Sequence, residues 1–98
     1  MHNLKQIIEY HFRIPFPDKV GSDNYELFIN ELIETDEYYV GLADSYVHGI
    51  DIDVDMSYFN VLNDTYNVLS DIEKSQCIDY MDSLSRIVEA LPSAHKNE

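Results

Sequence analysis

Residues 20–73, fifty-four in a row, contain no lysine and no arginine, and the whole chain carries six basic against nineteen acidic side chains, a formal net charge of -13. Such a deficit excludes naked nucleic acid and anionic lipid as partners, because both bear the same sign. One cysteine, Cys77, excludes an internal disulfide, and its neighbours Ile78, Met81 and Leu84 mark it as a packing thiol. The three glycines stand singly, so no phosphate-cradling loop exists, and neither a GxSxG nor a Cys–His arrangement is present for nucleophilic chemistry. Apolar runs are too short to cross a bilayer, and Met1 to Lys5 contains no apolar leader core, which points to a cytosolic protein.

What the chain does contain is enough to fold. Ten isoleucines, eight tyrosines and four phenylalanines within ninety-eight residues support one hydrophobic core and exclude a disordered acidic tail. Leu4, Ile7, Ile8, His11 and Phe12 recur at helical spacing until Pro15-Phe16-Pro17. Asp23 with Glu26 resembles a capping pair, opening a second helix with the stripe Tyr25, Phe28, Ile29, Leu32 and Ile33. Thr35-Asp36 suggests the cap of a third helix over 36–48, with Tyr39, Ala43, Tyr46 and Val47 inward, Glu37, Tyr38, Gly41 and Asp44 outward, and Gly49 as its stop.

Residues 50–55, Ile-Asp-Ile-Asp-Val-Asp, alternate with the period of a strand. A lone short strand has nothing to pair with, so an extended connector is expected, its last aspartate capping the next helix. From Met56 the set Phe59, Leu62, Tyr66 and Leu69 makes an apolar face flanked by Tyr58. Ser70-Asp71-Ile72-Glu73 is a capping box for a last helix whose stripe is Cys77, Met81, Leu84, Val88 and Leu91, ending at Pro92. The expectation is an all-α bundle of about five short helices, a single domain over 1–92 with a polar tail over 93–98.

Asp51, Asp53 and Asp55 imitate the first ligands of a calcium loop, but Met56 stands where glycine must turn the chain and Leu62 where a bidentate carboxylate must close it. His2, His11, His48 and His95 are scattered; His11 reads as a satisfied core or boundary residue and His48 as a helix-end residue complementing the dipole. No cofactor or metal follows from these residues, and no pair of carboxylates is marked for catalysis, so an enzyme is not expected. The expected partner is a basic protein, since an acidic field steers a positive surface and tyrosine supplies rigid, half-apolar contact area. Candidate contacts are Glu34, Asp36, Glu37, Tyr38, Tyr39, Asp44, Asp51, Asp53 and Asp55; helical phase turns Tyr38 outward, whereas core packing accounts for Tyr39.

Small size, acidity, helical pattern and the element Asp36-Glu37-Tyr38-Tyr39 resemble the immunity proteins of nuclease bacteriocins and contact-dependent growth-inhibition systems. In the helical immunity proteins of DNase bacteriocins the tyrosine pair precedes Pro-Ser-Asp-Asn, whereas here Val40-Gly41-Leu42 follows. The resemblance therefore extends to Tyr38 and Tyr39 alone. It implies a cytosolic inhibitor whose carboxylates cover the substrate groove of a basic nuclease domain. A nucleic-acid mimic directed at a DNA-binding protein, and an acidic adaptor or regulatory bundle, are the alternatives.

Self-repulsion at -13 makes stability depend on salt. The melting temperature is expected to rise from low to physiological ionic strength, and a flat response in a thermal melt contradicts this.

Overall fold

A computed structural model describes residues 4–18 and 20–92. The expected tail over 93–98, with His95, and also His2, lie outside the described residues. Among the described residues four helices follow in order: α1 (Leu4–His11), α2 (Asp23–Val47), α3 (Ser57–Asn67) and α4 (Asp71–Ala90). The architecture is all-α, with no strand among the described residues. None of these helices is long and apolar enough to cross a membrane.

The count is four rather than about five because the two helices expected over 23–48 are one. Along α2 the buried positions Tyr25, Phe28, Ile29, Leu32, Thr35, Tyr39, Val40 and Ala43 stay in helical phase without a break. Thr35 and Asp36 have the chemistry of a cap, but neither caps. Thr35 is fully buried and its hydroxyl donates to the carbonyl of Tyr58 at 3.4 Å, while Asp36 accepts from His11 Nε2. With both side chains satisfied by other elements, nothing competes with the backbone and the helix continues. Its 25 residues span about 37 Å at 1.5 Å each, which explains the 40 Å long axis of the molecule.

The start and end of α2 are set by Ser22 and Gly49. Ser22, not the expected Asp23, is the N-cap: its backbone is extended and its hydroxyl accepts from Tyr25 N at 3.2 Å. Gly49 stops the helix as expected, at φ +83°, with its N–H bonded to Tyr46 O and that of Ile50 to Ser45 O at 3.0 Å each, a Schellman closure. Tyr46 and Val47, expected inward, are exposed, because the last turn of α2 runs past the core. Phe12 is likewise exposed: α1 ends at His11 and the following turn carries Phe12 outward.

α2 touches each of the other three helices, and α1 also packs along α4. The expected stripe of α4 is buried throughout, with Tyr80 and Ile87 widening it. Asp79, Asp82, Arg86 and Glu89 face solvent, and Arg86 pairs with Asp82 at 3.2 Å. Cys77 is buried as expected and its thiol is pushed up to about 11, chiefly by burial.

The capping box at Ser70 forms in full and does more than close α4. Glu73 accepts from Ser70 N at 3.1 Å and, with its other oxygen, from Ser22 Oγ at 2.7 Å and Ser22 N at 3.3 Å. One carboxylate thereby joins the N-termini of α2 and α4, where two helix dipoles present positive ends. These bonds, led by the one from the Ser22 side chain, hold the Glu73 carboxyl below its ordinary range. A carboxylate with a lowered folded pKa stabilises above its unfolded value and loses that contribution as pH falls through the folded one. Glu73→Gln is therefore expected to lower the melting temperature at neutral pH and to narrow its difference from wild type once pH drops below about 4.5; a difference constant with pH contradicts the assignment.

Candidate functional site: an acidic tyrosine face

Adjacent residues on a helix point about 100° apart, so Tyr38 and Tyr39 grip one segment from two sides. The segment is the connector over 50–56, which forms no strand. Ile52 and Val54 pack on the core as the period-two pattern implies, and Asp51, Asp53 and Asp55 are exposed. Tyr39, buried beneath, donates its hydroxyl to Asp55 O and accepts from Phe59 N at 3.1 Å. Tyr38 accepts from Asp55 N at 3.0 Å and donates to Asp53 O at 3.3 Å. The Asp55 carboxylate accepts from Ser57 N at 2.9 Å, which lowers its pKa; the N-cap of α3 is Met56, whose side chain makes no cap bond, so Asp55 serves the first helical N–H from one residue before the cap rather than as the cap itself. The first turn of α3 thus receives one hydrogen bond from the connector and another, at Phe59, from α2.

This clamp builds a surface. Tyr58 is drawn over Tyr38, their ring centroids 4.4 Å apart, and Tyr39 meets Tyr38 edge-on at 4.9 Å. Glu34, Glu37, Tyr38 and Tyr58 enclose an open hollow of about 410 Å³. Asp53 and Asp55, exposed on the connector, meet Tyr38 through their backbone groups and do not line it. The structure therefore brings three of the nine candidates, Glu34, Glu37 and Tyr38, together around the hollow. Tyr38, expected to turn outward, is half-buried, its hydroxyl engaged with the connector and its ring left to the hollow.

Asp44 sits apart, lining a separate hollow of about 350 Å³ with Lys5, Ile8, Phe12 and Val47 between α1 and α2. Asp51 is exposed where the connector begins. His48 caps the C-terminus of α2 as expected, its Nδ1 2.8 Å from Asp44 O.

Two candidates face inward. Tyr39 is fully buried, and burial pushes its phenol up to about 12. Asp36 is 16% exposed and is committed to His11 and to the Tyr80 hydroxyl, itself pushed above its ordinary range chiefly by burial. Both belong to the framework, because each has its polar atoms spent on the fold. His11 Nδ1 lies 3.2 Å from Ser83 Oγ, so Asp36, His11 and Ser83 line up as carboxylate, imidazole and hydroxyl. With His11 1% and Ser83 2% exposed, no substrate reaches that hydroxyl, and the trio is a buried strut tying α1, α2 and α4.

Tyr58 is the residue that sequence reasoning left out of the site. Its signal was its position one residue inside a helix that follows an acidic connector, where a side chain opposite the core stripe stays near the preceding acids. Among the described residues, no group of three or more His, Cys, Asp or Glu is arranged to hold a metal ion. The chain matches no protein-family model, and no curated protein and no solved structure matches it.

Tyr39→Phe removes the acceptor of Phe59 N and the donor to Asp55 O without opening a cavity. It is expected to destabilise by about 1–3 kcal/mol, whereas Tyr38→Phe, whose partners are reached by water, is expected to cost less; chemical denaturation of the two variants gives the comparison.

Proposed function

We propose that this chain is an inhibitor of the immunity-protein kind, which captures a basic protein, best a toxin's nuclease domain, and covers its substrate groove with carboxylates in the places of phosphates. The observation that carries this reading is the hollow where Glu34 and Glu37 meet the stacked rings of Tyr38 and Tyr58, in a stretch without lysine or arginine.

A guanidinium suits that hollow. Its plane stacks on an aromatic ring while its fork donates to carboxylates, and a stacked, paired arginine is a common anchor of tight interfaces. The Tyr38 ring is already fixed by the bonds its hydroxyl makes, so little side-chain freedom is lost on binding. The net charge of -13 adds long-range steering, which raises association toward about 10⁸–10⁹ M⁻¹s⁻¹ at low salt. Fast capture is what protection from a lethal enzyme in the same cytosol demands.

Gly41 supports the same face. It lies one turn beyond Glu37, is exposed, and a Cβ added there meets nothing within 4 Å. Packing does not call for glycine, and mid-helix glycine costs about 1 kcal/mol against alanine. A partner backbone approaching closely accounts for it.

Immobilised wild-type chain is expected to retain a basic protein from its native host's lysate at low salt and release it as salt rises. Glu37→Lys and Tyr58→Ala should each weaken retention by about tenfold or more, and Gly41→Ala should raise the melting temperature yet weaken binding. Retention of the same protein at equal strength by Glu37→Lys and Tyr58→Ala ends the reading.

A further inference from the structure

Among the described residues α3 has one substantial helical neighbour, α2, and one of its flanks is left uncovered. Phe59, Leu62, Tyr66 and Leu69 turn toward the core, yet Tyr58, Val61 and Val68 stay 40%, 47% and 62% exposed. Spaced by three and then seven residues, these three form a second apolar row that ends at the C-cap, whereas scattered apolar residues would need no explanation. We infer that the groove between this row and α2 is the seat of an amphipathic helix of the basic partner, apolar toward α3 and bearing arginine or lysine toward α2. The inference rests on the inhibitor reading and adds to it the form of the partner's docking element.

The two helices run antiparallel. Thr35 donates to the Tyr58 carbonyl at 3.4 Å and Tyr38 packs on the Tyr58 ring, while farther along the rings of Phe28 and Tyr66 lie 5.6 Å apart. Val61 therefore falls level with Glu31 and Glu34 of α2, and Val68 level with Leu27, itself 53% exposed. Leu27, Glu31, Glu34 and Tyr38 are spaced by four, three and four residues, which sets them in one line along α2. From Tyr58 to Val68 the row is about 15 Å long, nearly three turns of a docked helix. Anchors at i, i+3 or i+4, and i+7 of such a helix match that length.

Charge decides the occupant. The α2 edge presents Glu31, Glu34 and Glu37, the far edge of the row adds Asp64, and neither α2 nor α3 contains a lysine or an arginine. Lys74 of α4 lies over the ring of Tyr66, a residue of the inward stripe rather than of the exposed row. A second copy of this chain would set the same glutamates against one another, at a net charge of -13 apiece. A helix with cations along its flanks instead pairs with the acids at the rim and buries the valines at the centre, the usual layout of a specific interface. The hollow formed by Glu34, Glu37, Tyr38 and Tyr58 lies at one end of the groove and receives an arginine of that flank.

The test is an NMR titration of the full chain at physiological salt with a synthetic peptide of about eighteen residues, long enough to be helical, with leucines on one face and arginines on both flanks. A control peptide has the same composition with its leucines scattered around the helix. Saturable shifts confined to residues 27–38 and 57–68, with the control at least about tenfold weaker, are the expected result. Val61→Asp and Leu27→Asp, both at exposed positions, should keep the wild-type spectrum elsewhere and each weaken the peptide about tenfold. Equal binding of the control, or unchanged affinity in both variants, overturns the inference, because charge alone would then suffice. A dimer of the chain by itself that Val61→Asp dissociates also overturns it, by assigning the row to a second copy. None of these failures touches the capture of a basic host protein and its loss in Glu37→Lys, on which the inhibitor reading stands separately.

Discussion

The hydrogen bond between His11 and Asp36 is the interaction on which the arrangement of the helices depends. It satisfies an acidic side chain halfway along α2, at the point where local chemistry favours a break, and it does so from α1. Because His11 also reaches Ser83, the same imidazole joins α4, and the penalty for stranded polar atoms does not arise: no buried side-chain nitrogen or oxygen among the described residues lacks a partner. An unbroken α2 then has length enough to touch every other helix and to hold the connector along its side.

From that continuity the acidic face follows. Thr35, Tyr38 and Tyr39 fall on the side of α2 toward α3, and all three bond to backbone between residues 53 and 59. The connector is thereby held against a helix that carries Glu34 and Glu37, although like charges repel. The repulsion is offset by hydrogen bonds that need no positive side chain, since phenols and hydroxyls do the fastening. That choice leaves the negative field of the face unneutralised.

Much of the fold was legible where local chemistry has one outcome. The capping box at Ser70, the stop at Gly49, the extended connector and the buried stripe of α4 each rest on neighbours a few residues away, and each is found in the structure. The errors came where two local outcomes were close in energy. Thr35-Asp36 has both cap chemistry and a place in a continuous stripe, and Ser22 and Asp23 are both able caps. Tyr46 and Val47 have inward phase, but α2 outlasts the core beneath them.

What the residues alone determined was the character of the protein: helical, acidic, with a fifty-four-residue stretch free of positive charge and tyrosines set among its carboxylates. These are properties of composition and short-range periodicity, and they survive any arrangement of the helices. Only the tertiary structure decided which acids share a surface. Asp36 and Glu37 are adjacent in the chain, yet one is spent on His11 inside and the other lies open beside Tyr58, because a single step along a helix turns a side chain by about 100° and so from core to solvent.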